Sequence, residues 1–592
     1  MKLIAALGAG LVLSALGWGQ LPEFIPLSQV QPGMTGYGLT VVAGEEISRF
    51  EVEVVAVLDE PGERNDFIVV RVWGEAIARS GGIAQGMSGS PVYLEGKLAG
   101  ALSRAARWSA EPERPLGLVT PIEVMLPVLA EAQAGSPPIL PPGKKEPRGQ
   151  VPQELKFVAA PPTSPQPGVL YAWPIASPVM ASGLSPRAGD LLWQGVDLGF
   201  EWHPVAELAW PGSLRLPGLA ELGFSRLVQA PSGVQTPSAP LAPGAPVGVG
   251  LLSGDITLGA LGTVTLVQDG AVLAFGHPFL FSGRTDYFLT SAYIFDTVAA
   301  LDIPYKLGSL GPVQGTVVAD RWAAVAGVMG QPPHPVGLEF LIHDEVRGLS
   351  TQVAVDMARE RRLSALLYYI SGLGATDRAL DRIGPGTAMV RYTITGAGMP
   401  RPLSRRNVFL STWDIARYLP WEAALVTQVL EYNEFSDPQL LEIELEASVS
   451  DQLLAVFITD LVVDGLEYHP GDTLRFLVEF QDWRGQSRDW TGEILIPPDV
   501  ETPYLVLRAY GGPRPPEKGE AAPEITSLEE LIEYIEDIPS YDTLTVELFA
   551  LDPISDLMGE PWLYGIGEVS LTVGGVVYGE MSLIIPFDDL AD

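Results

Sequence analysis

A mainly β architecture is what this sequence predicts, on three observations. Its 64 glycines and 53 prolines punctuate 592 residues with turns. The apolar runs between them are short, rich in Val, Ile, Leu and Thr, and of strand length. Only a few stretches carry a helical period, so helices should be few. With 47% hydrophobic and 18% charged residues the chain has ample core material and is unlike a disordered one. Its length exceeds what one core holds, so roughly two to four domains are expected.

The formal net charge of −36 leaves no basic stripe to neutralise phosphates, which disfavours nucleic acid and acidic lipid surfaces as partners. The chain has no cysteine, so disulfides, thiolate metal sites and a cysteine nucleophile are excluded. No His/Asp/Glu cluster has zinc spacing and no loop reads as a calcium site. The Gly-rich strings "GALG" and "GSLG" lack the strand-to-helix context of a dinucleotide site, and no Walker lysine follows them. No cofactor and no metal are expected.

At the N-terminus Lys2 precedes an apolar stretch from Leu3 to Leu16, followed by Gly17, Gly19 and Gln20. This is the layout of a signal peptide over residues 1–20, and it predicts export to the periplasm, the cell envelope or the extracellular space. No later segment is long and apolar enough to cross a bilayer, so no span is expected in the mature chain.

From Met34 to about Leu129 strand and turn alternate, through "GYGLTVV", "FEVEVVAVL", "DFIVVRVW" and "PVYLEGKLAGAL", the last a hairpin closed at Glu95 and Gly96. "TPIEVMLPVLAEA" then reads as a short helix. Residues 133–168 have the Pro-rich composition of a linker between a half at 30–132 and another at 169–435. In the second half a hairpin turns at Asp269 and Gly270. Helical period appears from Ala358 to Ile383 and again from Trp413 to Asn433, where Pro420 should kink or restart the helix. From residue 440 to 592 alternating strands return, with the spacing of a β-sandwich-like domain.

"GGIAQGMSGSPVY", Gly81 to Tyr93, is the most informative stretch, because it sets Ser88 between Gly86 and Gly89. A serine nucleophile needs its Oγ presented on a tight turn with backbone N–H groups free for an oxyanion, and flanking glycines permit that turn. The N–H groups of Gly86 and Ser88 would be the donors. The stretch resembles the "TGGI-x-QGMSGSP" signature of the SpoIVB-type serine peptidases, matched by Gly81, Gly82, Ile83 and Gln85 to Pro91. The resemblance implies a chymotrypsin-like double β-barrel, peptide-bond hydrolysis and Ser88 as nucleophile, with Ser90 serving the turn.

Of the five histidines, those at 203, 334 and 469 read as loop residues, and His343 sits beside Asp344 on a strand, where neighbours face opposite ways. His277 lies in "GTVTLVQDGAVLAFGHPFLFSG", similar to the "GT-x-T … ALGH" segment that carries the catalytic histidine of the SpoIVB-type peptidases. The resemblance implies that His277 is the general base. The order of the two segments, serine first, is swapped relative to the family's namesake. The family's acid, fifteen residues before the serine, falls here on Trp73. The candidate third member is Asp320, with Glu75, Asp66 and Asp286 as alternatives and a Ser-His dyad or a backbone carbonyl also open. Lys97 and Lys306, the nearest thoughts for a Ser-Lys mechanism, read as surface residues. The expected function is an exported serine endopeptidase acting on a protein or peptide substrate, this chain itself included. The alternative is a catalytically inactive envelope protein that keeps the barrels for binding or scaffolding.

Overall fold

The computed structural model describes residues 23–59, 66–107, 114–134, 148–149, 154–158, 162–164, 166–175, 178–199, 203–209, 214–231, 239–300, 303–465, 467–516, 524–551 and 562–587. The expected signal peptide and most of the Pro-rich stretch lie outside these residues. Among the described residues strands make up 52% and helices 15%, so the fold is mainly β as expected.

Six antiparallel strands form a first closed barrel: β1 (Thr35–Val41), β2 (Ile47–Leu58), β3 (Phe67–Trp73), β4 (Ser90–Leu94), β5 (Lys97–Arg107) and β6 (Leu116–Pro121). The order runs β4-β1-β2-β3-β6-β5, and β4 closes the ring by pairing with β5 as well as β1. The β4–β5 hairpin turns at Glu95 and Gly96, both at positive φ, as a two-residue loop requires. Helix α1 (Glu75–Arg79) precedes the Ser88 turn, and α2 (Ile122–Ala134) follows β6.

Three further strands attach to this barrel. β7 (Arg148–Gly149) pairs with β2, β8 (Glu154–Phe157) lies parallel to β9 (Val169–Pro174), and β9 is antiparallel to β5. The stretch from 169 to 174, expected to open the histidine-bearing half, is therefore part of the serine-bearing sheet.

After β10 (Val179–Ser182), α3 (Pro186–Gln194), β11 (Gly195–Asp197), α4 (Pro204–Leu208), β12 (Arg215–Pro217) and β13 (Leu227–Gln229), a second ring is built from β14 (Pro246–Gly254), β15 (Thr257–Gln268), β16 (Ala271–Ala274), β17 (Gly283–Val298), β18 (Tyr305–Arg321) and β19 (Ala324–Met329). It closes in the order β14-β15-β16-β19-β18-β17-β14. Two six-stranded rings side by side make the double barrel. Their seam is apolar: Leu98, Ala101, Met125 and Leu129 share one buried cluster with Leu266, Leu273, Ala319 and Ala326. Burying that surface is the main cohesive force between the barrels.

The second sheet continues beyond its ring through β20 (Val336–Asp344), β21 (Leu349–Met357), β22 (Gly386–Ala397), β23 (Leu403–Ser411) and β24 (Gln439–Ser450). Helix α5 (Ser364–Leu380) is buried nearly all round, as a helix apolar on every face must be, and packs beside α6 (Trp421–Glu431). Pro420 sits at the N-cap of α6, so the helix restarts there. Because β24 pairs with β20 and β22, the C-terminal domain begins later than residue 440.

That domain is a sandwich of two four-stranded sheets. One holds β25 (Ala455–Val463), β26 (Thr473–Asp482), β27 (Ser487–Leu495) and β31 (Val576–Tyr578). The other holds β28 (Tyr504–Gly511), β29 (Thr543–Leu551), β30 (Leu563–Thr572) and β32 (Glu580–Pro586). Phe476, Phe480, Leu507 and Leu548 fill the space between them. Helix α7 (Leu528–Asp537) leaves the sandwich to pack its Leu531, Ile532 and Ile535 into the core of the second barrel's sheet.

Candidate active site

Ser88 lies on the turn between α1 and β4, and the backbone there is what its glycines dictate. Gly86 and Gly89 have φ of +90° and +92°. A Cβ on Gly89 would run into the Thr263 carbonyl, and one on Gly86 would stand 3.1 Å from the Lys306 stem. Positive φ and close approach both demand glycine. Ser90 closes the turn from within, its Oγ donating to the Met87 carbonyl at 2.7 Å.

The second barrel holds this turn from outside. Thr263 N–H donates to the Ser88 carbonyl at 2.7 Å. The Thr263 hydroxyl donates to the Gly86 carbonyl at 3.1 Å and the Thr265 hydroxyl to the Gly89 carbonyl at 2.8 Å. Residues two apart on a strand face the same side, so the G-T-x-T run of β15 acts as a clamp. Its role was missed in the sequence, although the run itself was noticed.

Lys306 also belongs to this assembly, and its reading as a surface residue is corrected. Its N–H donates to the Gln85 carbonyl at 2.9 Å, and its side chain is fully buried. The ammonium donates to the hydroxyls of Thr40 at 2.9 Å and Thr263 at 3.3 Å. Burial lowers its pKa from 10.5 to about 7. Lys97, in contrast, is a surface residue, paired with Glu23 at 3.1 Å.

His277 follows the short strand β16. Gly276 packs against Ala101 and Ser103 of β5, and its carbonyl accepts from the Thr120 hydroxyl at 2.7 Å. Gly89 N–H donates to Leu102 at 2.9 Å. The residues next to Ser88 and His277 thus converge on one three-residue stretch of β5. The imidazole Nδ1 lies 2.7 Å from the Pro278 carbonyl. Only a protonated Nδ1 can bond there, which leaves Nε2 as the basic nitrogen. Burial, helped by the Arg104 charge and opposed by that hydrogen bond, lowers the imidazole pKa to about 4, so the ring is neutral near pH 7. Both Ser88 Oγ and His277 Nε2 are buried and have no hydrogen-bond partner.

Asp320 does not use its carboxylate on the imidazole in the way a third member would. It accepts from the N–H groups of Phe279 and Leu280, each at 2.7 Å, and of Ser282 at 3.3 Å, holding the loop that leaves His277. Asp286 bonds His334, and Glu75 is exposed at the start of α1. Asp66 is buried just before β3. His203 precedes α4 as its N-cap, outside any helix or strand as expected, but it is buried, with Nε2 2.9 Å from Glu422.

The Gly86 N–H, expected as an oxyanion donor, donates to the carbonyl of Ile175 at 2.7 Å. No metal-binding cluster exists among the described residues, and no described helix is long and apolar enough to cross a membrane.

No curated protein and no solved structure matches the chain. Residues 24–126 match the family model described as SpoIVB peptidase S55. His277 and the second barrel lie outside that match. It runs from before β1 into α2 and takes in the whole Ser88 turn, so this part of the chain is similar to the SpoIVB peptidase S55 family.

Proposed function

We propose that this protein is an exported serine endopeptidase in which Ser88 attacks the peptide carbonyl and His277 moves the proton. The observation that carries the reading is the pair of buried, unpartnered atoms, Ser88 Oγ and His277 Nε2, at the place where the two barrels meet on β5. A hydroxyl without a partner is costly in a stable core, and such groups persist where function needs them.

In the reaction, His277 Nε2 takes the Ser88 proton as Oγ adds to the carbonyl carbon. The Nδ1–H to Pro278 bond steadies the imidazolium, in the place a carboxylate holds in other serine peptidases. The oxyanion is received by the amides of Gly86 and Ser88. His277 then protonates the leaving amine, and water, deprotonated by the same ring, frees the acid. No cofactor enters these steps. The substrate is a protein or peptide, and export rests on the residue pattern of positions 1–20.

Hydrolysis of an unfolded protein such as casein tests the proposal. Wild type should cleave it and folded Ser88→Ala should not; equal cleavage by the two would sink the assignment.

A further inference from the structure

The second sheet ends in an open edge beside the Ser88 turn. β13 stands first in that sheet's strand order and pairs with β10 alone. The pairing is parallel: Val179 N–H donates to the Arg226 carbonyl at 2.9 Å and Ala230 N–H to the Ala181 carbonyl at 2.7 Å. Peptide groups alternate sides along a strand, so Arg226 and Ala230 turn toward β10 while the N–H and C=O of Leu227 and Gln229 turn outward. Among the described residues no strand pairs with that outer side.

Helix α3 supplies a wall along this edge. Gly189, Asp190 and Trp193 lie on one helical face and, with Ser225, Leu227 and Gln229, line a cleft of about 460 Å³. Glycine lets the helix come down to the strand, since a Cβ on Gly189 would stand 3.0 Å from the Gln229 side-chain nitrogen. Asp190 is exposed and Trp193 half-buried. The cleft also reaches the segment that carries Ser88. Ser225 Oγ accepts from the Gln85 side-chain amide at 2.9 Å, and Gln85 lies three residues before Ser88. A short edge strand is a common way to end a sheet and by itself carries no ligand. Here the open edge, the helix wall and a hydrogen bond to the Ser88 turn coincide.

We propose that this cleft holds the protein substrate: an extended segment adds as a strand to the outer edge of β13, bonded to Leu227 and Gln229, and is led to Ser88. The inference deepens the peptidase reading and rests on it. An extended polypeptide is the occupant that fits, because its backbone repeats N–H and C=O every second residue, about 6.6 Å, as the edge does. Its side chains on the helix side meet Leu227 and Trp193, so apolar residues at alternate positions suit them. The substrate class is therefore an unfolded or loop segment of a protein, apolar at every second residue, rather than a compact folded domain.

A fluorescein-labelled peptide of alternating Leu and Gln is the probe, titrated by anisotropy against the full-length Ser88→Ala chain so that binding is read without cutting. Two further peptides carry N-methyl groups, one on every Leu and the other on every Gln. In a docked strand one of these sets of N–H groups faces β13 and the other faces away. One methylated peptide should therefore lose about tenfold or more in affinity and the other little. Asp190→Trp in the same chain, checked for an unchanged melting temperature, should weaken the unmodified peptide by a similar factor by filling the cleft. Equal binding of the two methylated peptides, or undiminished binding by folded Asp190→Trp, overturns the inference. No binding of the unmodified peptide, while wild-type Ser88 reacts with a fluorophosphonate, also overturns it and leaves the nucleophile reading standing. One-sided binding by a protein whose wild type neither cuts casein nor is labelled keeps the cleft and overturns the peptidase reading.

Discussion

Thr263 N–H donates to the carbonyl of Ser88 at 2.7 Å, so a strand of one barrel sets the backbone of the proposed nucleophile in the other. The Thr263 hydroxyl continues the link to the Gly86 carbonyl and accepts from Lys306. The Thr263→Val variant keeps the first bond and loses the other two. Misplacing a catalytic group by about 1 Å can cost on the order of a hundredfold in rate. We expect kcat to fall about tenfold to a hundredfold with KM little changed. Steady-state kinetics checks this; a change in KM alone would show that Thr263 acts on binding instead.

Lys306 should trade stability for activity. Its folded pKa of about 7 lies below the unfolded value, so at lower pH the ammonium is charged in both states and burial is penalised throughout. As pH rises from about 7 to about 10 the folded state releases the proton first, and stability from this group increases. Lys306→Met removes the penalty and should raise Tm at pH 6 more than at pH 10. Activity at pH 6 should fall, because the hydroxyl of Thr263 loses its donor. Thermal melts at the two pH values test the sign. A variant less stable at pH 6 would contradict it.

In the proposed mechanism the imidazole sets the acidic limb of the activity profile. With a pKa of about 4, His277 is neutral and basic above that value, so kcat/KM should rise with pH up to about 4 and then level. Arg104 is one cause of the low value, so Arg104→Met should move the limb upward. Initial rates between pH 3 and about 8 decide it. A limb near the ordinary histidine value of about 6.5 would show that His277 is solvated in the working enzyme.

Asp320→Asn separates a positioning role from a catalytic one. Its carboxylate holds the amides of Phe279, Leu280 and Ser282, and burial raises its pKa against those hydrogen bonds. The amide side chain can still accept, so a loss of about tenfold or less is expected. A triad acid replaced by its amide loses about ten-thousandfold. A loss of that size would return Asp320 to the triad.

Much of the fold was legible because short β runs and glycine turns are local signals. The hairpins at Glu95–Gly96 and Asp269–Gly270 appear where the sequence set them, and α6 restarts at Pro420. What stayed hidden depends on contacts distant in sequence. Nothing local distinguishes Lys306 in "PYKLG" from a surface lysine, since its burial comes from Thr40, Gly86 and Thr263 on other elements. β9 was assigned to the wrong half because its partner β5 lies some 65 positions earlier, across a Pro-rich stretch. The Ser88 turn was readable because a tight turn with close backbone approaches admits only glycine at fixed positions. The Pro278 carbonyl as the partner of His277 Nδ1 was not, because a backbone acceptor carries no residue signal.

Fluorophosphonate labelling tests the central claim most directly, since it reports an activated serine without knowledge of the substrate. The account predicts that wild type is labelled at Ser88, that Ser88→Ala is not, and that His277→Ala is labelled far more slowly. Labelling of another residue, or equal labelling of wild type and His277→Ala, would contradict it.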